Sequence, residues 1–305
     1  MAHSVVRSFI AVALLFPAFC PPTAAQDAMD VQVVQAVAAI EAELAAFNQA
    51  NRSTPEPQAT TPAPRAARHV VYKARDLLGR VQMLRRLNGV EEQPIPNAPV
   101  KAMDSADAKD AVDKVASALR ELRPAFGNPP IRPVSKAAGG TATDAYAGLL
   151  RAERALRTLD MPAIVPNEVY RVALQAVSDI DRIAASRGRA AVPPTPLPPG
   201  LTPRDAYDAA YQLVEEIKRL ADEVPALAIP GGIVPPPRET GGISPETVVD
   251  LLTTIVADLS AVKVKAGVTQ PTRRVPPQAG KTPSDTVAAL RAARATISAL
   301  REAGS

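Results

Sequence analysis

Tryptophan is absent from this 305-residue chain, and aromatic residues make up only 3% of it. A large globular core normally draws much of its buried area from aromatic side chains. Alanine, valine, leucine and isoleucine must supply the core here. This favours thin layers of contacts between amphipathic segments over one thick core.

Cysteine and histidine are nearly absent as well. Cys20 is the only cysteine, and of the two histidines only His69 lies beyond residue 25. Zinc sites and cysteine- or histidine-based catalytic centres need several such groups. The sequence therefore predicts no metal, no cofactor and no enzyme activity, and we interpret His69 as an exposed or helix-capping residue.

An excess of one charge is also missing. Thirty-five basic and 31 acidic residues are interspersed and leave a formal net charge of +4. A nucleic-acid-binding protein usually concentrates its basic residues in a patch or stripe. We therefore expect a soluble chain with no nucleic-acid partner.

The first 25 residues have the layout of a secretory signal peptide. A short segment ending at Arg7 carries one positive charge, residues 8–19 are almost all apolar, and the small residues of CPPTAA follow. A retained membrane anchor is the alternative, but a bilayer span needs about 20 apolar residues. We expect cleavage between Ala25 and Gln26 and export, most simply to a bacterial periplasm. Lipid attachment at Cys20 is not expected, because the three residues before it match a lipoprotein signal poorly.

The mature sequence repeats one helical pattern. Apolar residues lie about 3.5 positions apart after a capping segment, as in Tyr207, Ala210, Leu213, Ile217 and Leu220, and this spacing forms a stripe on one helix face. The first position of the pattern recurs at Val34, Val71, Lys109, Tyr146, Tyr170, Tyr207, Val249 and Val287. All intervals but one are about 37 to 42 residues, which is typical of a repeat array.

The sequence thus predicts an all-α fold, a helical repeat array of about eight amphipathic helices. They are expected near 30–48, 66–88, 105–123, 142–160, 166–187, 203–223, 245–265 and 283–302. Thr202-Pro203-Arg204-Asp205, Thr282-Pro283-Ser284-Asp285 and Thr141-Ala142-Thr143-Asp144 predict capped helix starts. Arrays of this kind normally pack each helix against its neighbours in sequence and form an extended surface.

Proline-rich connectors separate the helices, and the chain contains 32 prolines. An extended polyproline segment of about seventeen residues reaches roughly 50 Å, further than a twenty-residue helix of about 30 Å. Such a connector can return along the preceding helix and start the next one in parallel. Each unit resembles the pancreatic-polypeptide hairpin, in which prolines interdigitate with a helix face. Flexible linkers between antiparallel helices are the alternative.

One connector is different, because only residues 160–165 separate the fourth and fifth helices. A link this short predicts an antiparallel hairpin of those two helices. It divides the mature chain into two lobes of four helices, residues 26–162 and 163–305.

The candidate binding surface consists of Tyr146, Tyr170 and Tyr207, which share the first position of the repeat, together with Arg75, Arg85 and Arg86 of the most basic segment. The tyrosines could stack on sugar rings, but such residues more often pack against the adjacent connector. The basic segment 65–86 and the paired acids Glu215-Glu216 and Asp179–Asp181 are interpreted as solvated faces.

From these features we expect an exported, non-enzymatic helical repeat protein of the bacterial envelope. Its expected role is a protein–protein interaction or scaffolding module, with another envelope protein as partner. The first alternative is a module that binds cell-wall polymer or polysaccharide, suggested by the shared tyrosine position and by the basic second helix. A more distant alternative is an enzyme that uses carboxylates, which would need a deep pocket lined by acids from several helices.

Overall fold

A computed structural model describes residues 24–54 and 62–304, without the side chains of 24–26 and 304. The described residues form eight α-helices and no strand: α1 (Ala24–Ala50), α2 (Ala67–Leu87), α3 (Ser105–Arg120), α4 (Ala142–Arg157), α5 (Pro166–Ser186), α6 (Pro203–Glu223), α7 (Pro245–Lys265) and α8 (Pro283–Gly304). The all-α prediction with eight helices is confirmed. The signal-peptide prediction lies outside the described residues except for its last two.

The helix starts follow the chemistry of their capping segments. The Thr202 hydroxyl accepts a hydrogen bond from the backbone N–H of Asp205, whose carboxylate in turn accepts from the Thr202 N–H at 2.8 Å. Thr141 caps α4 with Asp144 in the same way. Each cap satisfies backbone donors that the first helical turn leaves free.

The helices pack as two sets of four, each around its own apolar core. In the first set α1 and α2 do not pack against each other, but each packs against both α3 and α4. In the second set α5 and α6 each pack against both α7 and α8 in the same pattern. The pairwise packing of the helices is consistent with the predicted repeat array. Among neighbours in sequence, α2 packs on α3 and α6 on α7, and the other main contacts join helices that lie further apart in the chain.

Helices within each bundle run parallel. Ser105 at the start of α3 donates a hydrogen bond to Asp30 near the start of α1. Near the ends of α1 and α4, the Asn48 side chain donates to the Ala155 carbonyl at 2.7 Å. Parallel neighbours require connectors that return the full length of a helix.

The connectors after α2, α3 and α6 are ordered segments that lie on helices. After α2 the chain returns along α2 itself, where the Gln93 N–H donates to the side chain of Gln82 at 2.7 Å and Arg75 Nε donates to the Pro96 carbonyl at 3.0 Å. Three connector residues thus span about seven helical residues, roughly 10 Å, which requires an extended backbone. The connector after α6 likewise returns along α6, whereas the one after α3 crosses onto α1.

The predicted hairpin of α4 and α5 is wrong, since these helices do not pack against each other. The bundles instead join through α2 and α7, which run antiparallel: Arg68 meets Asp258, and Lys73 meets Asp250. The short segment after α4 carries the chain from one bundle to the other. None of the described helices has the length and apolar character that a bilayer span requires.

A close approach of α4 to α1 yields a stability prediction. A Cβ added at Gly148 would lie 2.4 Å from Val37 Cγ1. Alanine is a better helix former than glycine by about 1 kcal/mol, but we expect Gly148→Ala to lower the free energy of unfolding by about 1–3 kcal/mol through overpacking. Urea denaturation measures the free energy of unfolding. Adding Val37→Ala should recover part of the loss, because it removes the Val37 methyl group that the new Cβ would meet. A variant as stable as the wild type would contradict this contact.

Candidate functional site

Helix α7 is apolar on every side apart from a few isolated charges, and an all-round apolar helix belongs in an interior. Asp250, Asp258 and Lys263 interrupt it. Each of these charges pairs with a residue on another helix. The pairs of Asp250 and Asp258 with α2 form a charged junction between the two bundles, and the pair of Lys263 with Asp179 lies within the second bundle.

Lys73 lies at the centre of the first cluster, with its side chain 0% exposed. Its Nζ is 2.6 Å from Glu153 Oε2 on α4 and 2.6 Å from Asp250 Oδ1 on α7. Burial opposes the charged lysine, but the charges of Asp250 and Glu153 outweigh it and raise the pKa of Lys73. Burial and the charge of Glu153 raise the pKa of Asp250. One ammonium thus joins a carboxylate from each bundle.

Three carboxylates from three helices converge at this cluster. Asp76, Glu153 and Asp250 each place an oxygen within 4.8 Å of the others, a spacing that could hold a cation. Lys73 Nζ already lies among them, 3.7 Å from Asp76 Oδ2. The lysine neutralises the carboxylates in the position that a metal ion would take, so this donor set does not fit a metal.

Asp258 anchors the second cluster and is fully buried. Its Oδ1 accepts hydrogen bonds from Arg68 at 3.0 Å and from His69 Nε2 at 3.1 Å. His69 Nδ1 accepts from the Ala66 N–H at 3.0 Å, which fixes the ring as the neutral tautomer protonated on Nε2. Burial lowers the pKa of His69. His69 is a capping residue, as one interpretation expected, but the expectation of an exposed ring is wrong.

A third cluster ties α5 to α7. Lys263 Nζ is 2.8 Å from Asp179 Oδ1, and Thr272 of the last connector donates to the same carboxylate. The Tyr72 hydroxyl of α2 lies 3.3 Å from the Thr272 hydroxyl. The interaction of Asp179 thus extends from the second bundle to the first.

These clusters correct two predictions. Asp179 and Glu216 are buried, so the interpretation of both acidic pairs as solvated is wrong for these members. The basic segment is not a solvated face either, because Arg65, Lys73 and Arg85 are buried. The second bundle covers part of this polar face, where Lys73 pairs with Asp250, whereas Arg85 is buried against α3 of its own bundle.

An open pocket of about 320 Å³ lies beside the Lys73 cluster, and we call it the junction pocket. It is lined from both bundles by Arg65, Tyr146, Glu153, Arg154, Arg157, Tyr207, Pro236, Pro237, Gly242, Thr247, Asp250 and neighbouring residues. Tyr146 is 4% exposed and Tyr207 2%. The Tyr146 hydroxyl lies 3.3 Å from the Thr254 hydroxyl, and the Tyr207 hydroxyl accepts from the Glu239 N–H at 2.9 Å. Their rings form packed walls.

The other members of the candidate surface lie elsewhere. Tyr170 is half-buried beneath the ammonium of Lys281, 4.7 Å from the ring centroid. Arg85 is buried and donates to Glu121 at 2.7 Å, whereas Arg86 is exposed and pairs with Glu92. Arg75 lies over the Tyr72 ring. Of the six predicted residues, only Tyr146 and Tyr207 meet at one pocket.

Sequence reasoning missed Asp250, Asp258 and Lys73 as members of a site. The signal was available for the first two, because a single carboxylate within an apolar helix needs a buried partner. No protein-family model, curated protein or solved structure matches this chain. The site is therefore interpreted from its own geometry.

Removing the central ammonium should destabilise the whole molecule. We expect Lys73→Met to lower the free energy of unfolding by about 1–3 kcal/mol, because Asp250 would lose the cation with which it pairs. The buried Glu153 would keep only Arg80 and Arg157 as partners. The control is Lys109→Met, which breaks only an exposed pair with Asp113 on α3 and should cost less than about 0.5 kcal/mol. If both variants lowered the free energy of unfolding by the same amount in denaturant unfolding, the Lys73 cluster would not stabilise the contact between the bundles.

His69 predicts a pH dependence of stability. Because its pKa is lower in the folded protein, the stabilisation is complete above the unfolded value of about 6.5 and declines as the pH falls below it. In His69→Gln the glutamine can still accept from the Ala66 N–H as a capping-box residue. We expect the wild type to lose more stability than this variant between about pH 7.5 and 5.5 in thermal unfolding. Parallel curves for the two proteins would contradict the assignment.

Proposed function

We propose that this chain is an exported, non-enzymatic protein of the bacterial envelope that serves as an interaction or scaffolding module for another envelope protein. The observation that supports it is the clamped junction. Buried ion pairs hold two bundles in one arrangement, and an open pocket remains where they meet. A pocket of fixed shape loses little conformational entropy when a partner binds.

The junction pocket has the side-chain chemistry of a protein interface. Tyrosine and arginine are enriched among the residues that carry binding energy in such interfaces. Arg154 and Arg157 line the pocket next to the apolar Leu150 and Leu251, and Glu246 supplies negative charge. A protruding partner segment with an apolar side chain and flanking charges of both signs fits this surface.

The two alternatives receive less support. Stacking on a polysaccharide needs an open ring face, and Tyr146 and Tyr207 are packed on both sides. Carboxylate catalysis would draw on Glu153 and Asp250, but Lys73 is hydrogen-bonded to both of them. Structural ion-pair networks shift pKa values as active sites do, so the raised pKa of Asp250 does not by itself favour an enzyme.

Export is part of the proposal. N-terminal sequencing of the protein from a periplasmic fraction should begin at Gln26. A chain that keeps Met1 and stays with the cytoplasmic fraction would contradict this part, without bearing on the junction pocket.

A pair of adjacent glycines provides the test of binding. Gly242 lines the junction pocket and Gly241 does not, and a Cβ at either position would meet no atom within 4 Å. We expect Gly242→Trp to close the pocket mouth and reduce recovery of the partner at least tenfold in co-purification from native cells. Gly241→Trp should retain it. If both variants recovered the same amount of partner, the junction pocket would not be the binding site.

A further inference from the structure

A second groove lies along the junction, between α2, the segment joining the bundles and the last connector. Its volume is about 560 Å³, within the range of small-molecule sites. We call it the arginine groove. Its charged lining consists of Arg80, Arg86, Arg171 and Arg274 against Asp76, Glu92 and Glu168. A smaller adjoining cavity shares Asp76, Arg171 and Arg274 with it and adds Arg75.

Arg274 is the unbalanced charge of this groove. Across the described ranges 24–54 and 62–304 it makes no hydrogen bond and no ion pair, whereas Arg80 pairs with Glu153 and Arg171 with Glu168. Burial lowers the pKa of Arg274, and the nearby charge of Arg171 lowers it further. The charges of Asp76, Glu168 and Glu92 act on Arg274 in the opposite direction, but none of these carboxylates forms an ion pair with it. The groove thus contains four arginines against three carboxylates.

The helix beneath Arg274 is shaped to receive its guanidinium. A Cβ at Gly79 would lie 3.1 Å from Arg274 Nη2, so the side chain rests directly on the α2 backbone. Glycine inside a helix costs about 1 kcal/mol relative to alanine. Gly79 lies in the middle of α2. The space that the Arg274 side chain needs explains why a glycine occupies this helical position despite its cost.

The remainder of the groove is apolar. Met83, Met161, Ile164, Val249, Val275, Pro276 and Pro277 line it. Val165 at its rim is 48% exposed, one of few large apolar residues that face solvent among the described side chains. Methionine offers adaptable apolar surface, and the proline ring adds a rigid apolar surface without a hydrogen-bond donor. A ligand here would meet positive charge at one end and apolar surface along its length.

We propose that the arginine groove binds an amphiphilic anion, a molecule with one carboxylate or phosphate group and an unbranched alkyl chain. Arg274 and Arg171 contact the anionic group, and the chain lies against Met161, Val249 and Pro277. Each methylene buried in this way contributes about 0.8 kcal/mol. The site is separate from the junction pocket and does not depend on the proposed partner.

Calorimetric titration with dodecanoate and with dodecyl phosphate, both below their micelle concentrations, tests the proposal. We expect saturable binding of at least one anion. Acetate, which lacks the chain, and dodecyltrimethylammonium, which reverses the charge, should bind at least tenfold more weakly. The tighter of the two anions identifies the headgroup as carboxylate or phosphate. Absence of binding by both anions, or equal affinity for dodecyltrimethylammonium, would overturn the proposal.

Variants assign the binding to the groove. Arg274→Gln should weaken it about tenfold or more, as expected for the loss of a charge-assisted hydrogen bond, and Val165→Glu should weaken it by repulsion at the rim. Arg273→Gln is the matched control, because Arg273 and Arg274 are neighbouring exposed arginines and only Arg274 lines the groove. An unchanged affinity in Arg274→Gln, or an equal loss in Arg273→Gln, would overturn the assignment. Gly242→Trp should bind normally, which separates this result from the test of the junction pocket.

Discussion

The ammonium group of Lys73 couples the interior of one bundle to the position of the other. Glu153 belongs to the same bundle as Lys73, and Asp250 belongs to the second. If the bundles separated, Lys73 would keep Glu153 but lose its ion pair with Asp250, and Asp250 would lose its cation. A buried ion pair adds little net stability over apolar packing. Its effect is to select one arrangement, since a shifted α7 would leave charges unpaired.

The parallel direction of the helices explains the composition of the connectors. The connectors after α2 and α6 return along a helix surface, where their backbone N–H groups must find acceptors. Proline has no N–H, so a proline-rich strand has few donors to satisfy. The remaining donors of Gln93 and Glu239 are bonded by side chains of the helix below, Gln82 and Tyr207. Parallel helices thus require long returning connectors, and a high proline content reduces the number of backbone N–H groups that those connectors must pair.

Local patterns in the sequence were sufficient to predict the helices but not their partners. The stripe from Tyr207 to Leu220 and the cap at Thr202 are properties of single segments, so periodicity and capping chemistry predicted them. The choice of partner is a competition among eight similar stripes, and no single stripe contains that information. The site was harder to predict from the sequence than the packing of the helices. Lys73 lies on a face of α2 whose residues are mostly polar, so nothing in α2 itself predicts that Lys73 is buried. Only the isolated acidic residues of α7 indicated that another helix would pack on this face.

Clamping the bundles also determines what the two grooves can do. Asp250 lines the junction pocket and Asp76 the arginine groove, and Lys73 lies between them. Because both walls rest on the same buried cluster, the bundles cannot separate to widen either groove without exposing paired charges to a new environment. A site of this kind gains selectivity from a fixed width and placed charges, since it does not reshape itself around the ligand. The small aliphatic core supports only thin helical layers, and both grooves lie where two such layers meet. Arg65, Arg154 and Arg157 line one of them, and Arg80, Arg171 and Arg274 line the other.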